Sequence, residues 1–264
     1  MDPPPSSGPT YTPASRGRRA QSFGVVADEY DRYRPSPPQA ALDWLLPERV
    51  SAVLDLGAGT GALSRKLLPR ADEVLAVEPD ARMRTVLARR LPHVRLLAGR
   101  AEELPLPDAS VDAVLIASAW HWVDPQAAVP EIARVLRPSG VLGILWTGLD
   151  RSSGLGASLW EAVRELMPGR AAAGERHRPE DVRLPAGSPF GAPEIRRLRS
   201  PWRVSPQRLA GTFGTYSSII TMPEPQRQRL LARVRHLVAE DPALAGRERV
   251  TVALSCRCWK ARRL

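Results

Sequence analysis

The run Val53-Leu54-Asp55-Leu56-Gly57-Ala58-Gly59-Thr60-Gly61 sets three glycines directly after an apolar stretch and before a helical one. Without a Cβ the chain turns tightly there, and its backbone N–H groups can approach a ligand closely. Seventeen residues beyond Gly61, Glu78 ends a second apolar run, where a carboxylate accepts hydrogen bonds from both hydroxyls of a ribose. Gly57, Gly59 and Ala62 also satisfy the dinucleotide pattern G-x-G-x-x-G/A, which keeps a nicotinamide enzyme in view. Against it, Asp55 stands two residues before the first glycine, where its charge would repel a pyrophosphate. The two lysines, Lys66 and Lys260, offer little for a Tyr and Lys proton relay, and no second dinucleotide half follows the fifth strand. S-adenosylmethionine, with an ammonium, a sulfonium and a ribose diol, matches Asp55 and Glu78 better.

A second group of candidates follows the fourth apolar run, in Ala119-Trp120-His121-Trp122. His121 titrates near working pH, so it could act as a general base or orient an acceptor; a histidine simply hydrogen-bonded at a turn fits as well. Trp120 and Trp122, with Trp146 at the end of the fifth strand, could wall a pocket and exclude water. The pair Cys256 and Cys258 has no second pair to complete a zinc site, and reads as two reduced residues on one face of a strand. No metal is expected.

These residues need a sheet to hold them. From Val50 the chain alternates short apolar runs with helical segments, the pattern of βαβ units in a parallel sheet covered on both faces. Strands are expected at Ala52–Leu56, Glu73–Val77, Val94–Leu97, Val111–Ala117 and Val141–Trp146. Helices are expected at Ala62–Leu68, Asp80–Arg90 (Asp80 as N-cap) and Gln126–Leu136. Beyond Trp146 the spacing predicts a helix over Ser158–Met167, a loop over Ala171–Pro193 and a strand over Ile195–Val204. An amphipathic helix over Glu224–Ala239 and a last β-rich stretch over Arg249–Trp259 follow. The fold class is thus α/β, with a helical insertion between the last two strands.

The 264 residues suffice for one large domain without disulfide or metal staples. No apolar run approaches a membrane span and no secretory h-region opens the chain, so a cytoplasmic location is expected, with no membrane partner. The net charge of +10 is uneven. Residues 1–49 are neutral, residues 50–150 carry −1 and residues 151–264 carry +11. That excess fits a nucleic-acid surface, an anionic ligand or an arginine-rich codon usage, since only two of the 38 basic residues are lysine.

The successive segments VLDLGAGTGALS, VLAVEPDARM, AGRAEELPLPDASVDAVLIASAWHWVD and ARVLRPSGVLGILW strongly resemble the ordered motifs of class I S-adenosylmethionine-dependent methyltransferases of the small-molecule, type 11 kind. The resemblance covers Ser22 to Trp146 best, and the stretch SPQRLAGTFGTYSSIITMPEPQRQRLLARVRHLV is similar to the helical elaboration of such enzymes. It implies a Rossmann-like, doubly wound, mostly parallel seven-stranded sheet. It implies a division into a disordered tail (1–21), an N-terminal helical cap (22–49), a cofactor-binding core (50–150) and the end of the sheet with a helical substrate-side elaboration (151–264). By matching position, Gly57, Ala58, Gly59 and Gly61 would wrap the methionine portion of S-adenosylmethionine, with Asp55 on its ammonium side and Glu78 on the ribose. Pro79 and Met83 would pack on the adenine, Ala101 and Glu102 would meet its polar edge, and Ser118 would lie beside the methionyl group. Arg100 departs from the pattern, since many relatives carry a small or acidic residue there. Tyr30, Tyr33 and Arg34 resemble the cap that closes over the cofactor. The implied partner is a small-molecule acceptor, an anionic one among the candidates, and the implied assembly a monomer or homodimer. A nucleic-acid methyltransferase is the alternative, although no N-P-P-Y type motif or Pro-Cys nucleophile is present. A non-catalytic cofactor-binding regulator is the third reading.

Overall fold

The computed structural model describes residues 23–152, 154–167 and 178–264. The tail expected over 1–21, and residues 171–177 of the expected loop, lie outside the described residues. In chain order the strands are β1 (Val50–Leu56), β2 (Ala71–Val77), β3 (Arg95–Leu97), β4 (Val111–Ala117), β5 (Leu136–Leu149), β6 (Glu194–Val204) and β7 (Val250–Arg262). They form one sheet in the order β3-β2-β1-β4-β5-β7-β6. β1 to β5 pair in parallel, whereas β7 runs antiparallel to both β5 and β6. The fold is the mostly parallel, doubly wound sheet read from the sequence, closed by one antiparallel pair of strands.

Among the described residues the α-helices are α1 (Ala27–Tyr33), α2 (Gln39–Leu45), α3 (Ser64–Leu67), α4 (Ala81–Arg90), α5 (Pro125–Val135), α6 (Gly154–Glu165), α7 (Pro206–Phe213), α8 (Ser217–Ile220) and α9 (Glu224–Glu240). Local signals start several of them. Asp80 caps α4 by accepting from the N–H groups of Arg82 (2.8 Å) and Met83 (3.4 Å). Asp124 caps α5, with Pro125 at the first helical position, and Ser205-Pro206 repeats that device at α7. α3 is shorter than the helix expected over Ala62–Leu68. Its ends turn through bonds of the i to i+3 type, Lys66 N–H to Leu63 C=O and Arg70 N–H to Leu67 C=O, both 2.8 Å. β5 begins at Leu136, five residues before the expected Val141: Leu136 pairs with Val111, and the register then shifts before Val141 meets Ala113. Ser139, at φ +64°, lies in that shift. β5 also runs on to Leu149, because β7 supplies partners along its whole length from Val141 to Leu149.

Both faces of the sheet are covered. Ala41, Leu42 and Leu45 of α2 pack with Val53, Leu115 and Leu145 on one face, where Cys256 and Cys258 also lie fully buried with their Sγ atoms 3.6 Å apart. Ala128, Val129 and Ile132 of α5 pack on the other face with Leu54, Val114, Ile116 and Trp259. A fully buried leucine such as Leu42 stabilises the fold by about 2 kcal/mol or more. A third cluster joins α6, α7 and α9 to Leu149, Val252 and Leu254, with the Trp160 ring centroid 5.1 Å from Phe213 and 4.8 Å from Tyr216. The insertion between β6 and β7 is therefore packed onto the end of the sheet as part of its core. α7 also grips α1: the Tyr33 C=O accepts from the Thr212 hydroxyl at 3.1 Å.

Candidate functional site

The strand order reverses between β1 and β4, since the chain winds outward through β2 and β3 and then returns to pair β4 with β1. Ligands in open α/β sheets bind at the carboxyl ends of strands beside such a switch point. A cavity of about 490 Å³ lies there, between the segments that leave β1, β2, β3 and β4.

The glycine loop forms one wall. Gly57 and Gly59 have φ of +71° and +57°. A Cβ at Gly57 would sit 2.7 Å from Ala119 Cβ, so this loop packs directly on the turn after β4; a Cβ at Gly59 would meet nothing within 4 Å, and the backbone there faces open cavity. Gly61 instead packs on Leu87 and Leu91 of the α4 segment, and Ala58 is buried in the core. Glu78, only 7% exposed, stands at the end of β2. Its Oε2 accepts from the Gly59 N–H and its Oε1 from the Asp80 N–H, each at 2.9 Å. Burial raises its pKa above the usual carboxylate value, and those two N–H groups pull it back. The carboxylate is thus fixed to the glycine loop, with lone pairs left for a ligand's hydroxyls.

Asp55 lies behind the loop rather than on the cavity wall. It is fully buried; its Oδ2 accepts from the Ser64 hydroxyl at 2.6 Å, while Oδ1 has no hydrogen-bond partner among the described residues. Burial pushes its pKa from 3.8 up to about 7. A buried carboxylate directly behind the loop favours a cationic group in the cavity in front of it through charge rather than contact. The residues present therefore fit S-adenosylmethionine: Glu78 for a ribose, Gly57 and Gly59 for the amino-acid end, and Asp55 for the ammonium from beneath.

Pro79, Met83, Ala101, Glu102, Ser118, Tyr30 and Trp122 all line this cavity. Glu102 is already engaged there: the Asp124 N–H donates to it at 3.0 Å and Arg100 lies 3.5 Å away. Arg100 thus adds a cation to this stretch of the wall. Away from the cavity, at the far end of α5, Arg134 ties the loop before β4 by bonding Leu104 C=O, Leu106 C=O, Asp108 and Glu131 at 2.8 to 3.0 Å. That cation holds the Glu131 carboxyl down to about 2.

A second cavity, about 650 Å³, adjoins the first, and Tyr30 and Ser118 line both. Ser118 adopts φ +58°, a left-handed conformation that costs a non-glycine residue about 1 kcal/mol or more, and its N–H is held by Leu145 C=O at 2.8 Å. His121, Arg34 and Trp146 open onto this second cavity. His121 and Trp122 meet with ring centroids 4.4 Å apart, so the turn after β4 sends one ring to each cavity. Tyr33 and Trp120 line neither. Tyr33 packs against Gly211 of α7, and Trp120, 7% exposed, is part of the core. Sequence reasoning also left out most of the second cavity's wall, including Arg178, Arg197, Arg199 and Arg257. The one signal for it was the spacing of Arg197 and Arg199 two apart in a strand, which puts both on one face.

Residues 54–144 match the model of the methyltransferase domain family. The chain is 44% identical over 251 residues to an uncharacterized methyltransferase of Mycobacterium tuberculosis, covering 94% of this chain and 98% of that one. It is 31% identical over 157 residues to a malonyl-[acyl-carrier protein] O-methyltransferase of Enterobacter lignolyticus, covering 58% and 62% of the two chains. Among solved structures it resembles a proposed Type II methyltransferase from Anaeromyxobacter dehalogenans, with a TM-score of 0.65, 26% identity, and 88% and 98% coverage.

Proposed function

The chain belongs to the class I methyltransferase family, and from that premise we propose that it transfers the methyl group of S-adenosylmethionine to a small-molecule acceptor seated in the second cavity. The observation that carries this reading is the Glu78 carboxylate, buried and tied to the Gly59 N–H on the wall of the first cavity. When bound, S-adenosylmethionine supplies a methyl group on a positive sulfur, and the acceptor's electron pair makes the new bond as the carbon–sulfur pair returns to sulfur, leaving a neutral thioether. The protein's share is proximity and alignment. Glu78 and the glycine loop hold the donor, Ser118 and Tyr30 mark the window through which the two cavities meet, and the aromatic rings of Trp122 and Trp146 exclude water. His121, on the acceptor side, is placed to take a proton from a hydroxyl or amine acceptor. An acceptor that is already an anion makes no use of it. The enzyme of Enterobacter lignolyticus, named for O-methylation of a malonyl group, supports the anionic case.

Calorimetric titration with S-adenosylmethionine tests the reading. The wild type binds, and Glu78→Ala binds about tenfold or more weakly, the loss of two charge-assisted hydrogen bonds to a diol. Unchanged affinity in Glu78→Ala, with the fold intact by circular dichroism, refutes the assignment. Incubation with methyl-labelled S-adenosylmethionine and a metabolite extract then identifies what acquires the label.

A further inference from the structure

We propose that the second cavity is an oxyanion site: its occupant, the acceptor, carries a carboxylate or phosphate gripped by Arg257 together with Arg34 and Arg178, while the rest of the molecule reaches toward Ser118. The inference deepens the methyl-transfer reading and rests on it for the word acceptor, but the site itself is argued from charge and register.

Among the described residues, six arginines line this cavity (Arg34, Arg151, Arg178, Arg197, Arg199 and Arg257) against one carboxylate, Asp150. They come from five places in the chain, so no single helix or turn explains their meeting. Strand register brings three together. Arg197 of β6 lies directly opposite Arg257 of β7, which lies opposite Trp146 of β5; Arg199 lies opposite Ser255, which lies opposite Gly148. Residues in register share one face of the sheet, so Arg197, Arg199 and Arg257 project together. Like charges directly opposite one another destabilise a strand pair, and nearby carboxylates relieve only part of this. Glu180 pairs with Arg197 at 2.8 Å and Asp150 with Arg199 at 2.5 Å.

Arg257 is the residue left over. It is half-buried on β7, between β5 and β6, and no ion pair to it exists among the described residues. Burial and the charges of Arg197 and Arg178 hold its pKa below the ordinary arginine value. Arginines on β6 have a structural use, since charge on an edge strand prevents unwanted pairing. Arg257 sits on an interior strand and has no such use. Arg34 approaches from the end of α1, its guanidinium 4.8 Å from the Tyr216 ring centroid and 5.6 Å from that of Tyr30, with the Thr215 hydroxyl 3.5 Å away. Stacking of that kind fixes the plane of a guanidinium and leaves its N–H edge to grip a planar oxyanion. A concave space of about 650 Å³ fits a small molecule.

The test is titration of the full chain with succinate, inorganic phosphate and the neutral isostere succinamide, with and without S-adenosylhomocysteine. At least one oxyanion binds and succinamide does not. Its affinity falls about tenfold or more in Arg257→Gln, recovers in part in Arg257→Lys, and falls again from about 50 to about 500 mM sodium chloride. S-adenosylhomocysteine affinity stays unchanged in both variants, which shows that they are folded. Succinate binding above phosphate assigns a carboxylate acceptor, and the reverse assigns a phosphate ester. The proposal is overturned if neither oxyanion binds, if succinamide binds equally well, if Arg257→Gln binds as wild type, or if single-stranded RNA displaces succinate. Should S-adenosylhomocysteine fail to bind the wild type, the methyl-transfer reading falls, while the oxyanion titrations in its absence still decide the site; should Arg257→Gln not fold, Arg34→Gln carries the same expectation.

Discussion

Asp55→Asn should change the pH dependence of stability by an amount the structure sets. Asp55 is fully buried, and its pKa rises from 3.8 to about 7. Between those values the folded chain keeps the proton and the unfolded chain releases it, so stability falls as pH rises through the window. The contribution is complete below about pH 4 and lost above about pH 7. At about 1.4 kcal/mol per pKa unit the span is worth roughly 4 kcal/mol. Asparagine is nearly isosteric, keeps a bond to Ser64 and carries no charge at any pH. Urea unfolding followed by tryptophan fluorescence, feasible with seven tryptophans, should therefore show Asp55→Asn gaining on wild type by about 4 kcal/mol between about pH 4 and about pH 8. Taking the difference removes most of the contribution of Glu78, whose pKa is raised in both proteins. Saturating S-adenosylmethionine should flatten the wild-type slope, because its ammonium compensates the buried charge. A difference that stays flat within about 1 kcal/mol across the range would falsify the claim that folding buries an uncompensated carboxylate here.

Gly59→Ala places a Cβ in the open cavity at φ +57°; it should cost about 1 kcal/mol of stability but about tenfold or more in S-adenosylmethionine affinity, read by melting and calorimetry side by side. Gly211→Ala would gain about 1 kcal/mol from helix propensity alone, yet its Cβ would lie 2.5 Å from Tyr33 Cδ1. The net effect should be a loss of about 1 to 3 kcal/mol, with faster proteolysis between α1 and α2 as the cap loosens. Arg134→Met removes two ion pairs and two carbonyl bonds that tie α5 to the loop before β4 and should destabilise by about 1 to 3 kcal/mol in urea.

What the sequence made legible was local. Three glycines after a strand, Asp80 before a helix and Glu78 at a strand end each carry their own backbone signature, and each stands where the pattern puts it. The first five strands followed from apolar runs, and β6 and β7 from the spacing of the residues beyond Trp146. The extra length of β5 was hidden because Arg137-Pro138-Ser139-Gly140 has the composition of a turn, and only pairing with Val111 on one side and β7 on the other makes strand of its flanks. α7 and α8 were reached through family resemblance rather than periodicity, although Ser205-Pro206 is a readable helix start. Trp120 and Trp122 show the limit most directly. Two residues apart in one turn, they look equivalent in the sequence, yet one ring fills the core and the other faces the first cavity.

The +11 charge of the last 114 residues is the case where long-range pairing decides how the charge is arranged. Composition alone left a polymer, a small anion and codon usage on equal terms. Codon usage would account for these cations being arginines; it does not explain why Arg197, Arg199 and Arg257 fall in register on one face, with Arg34 and Arg178 brought across from distant segments. Part of the remaining excess lies along α9, where Arg227 pairs with Glu29 and Glu224 and Arg229 bonds a helix carbonyl. Those contacts stabilise the elaboration and need no ligand. The charge therefore divides by location: a surface share that any arginine-rich chain could carry, and a cavity share that raises the energy of the empty fold and that the proposed anion would offset. Only the second bears on the acceptor, and Arg257 is the residue that separates the two.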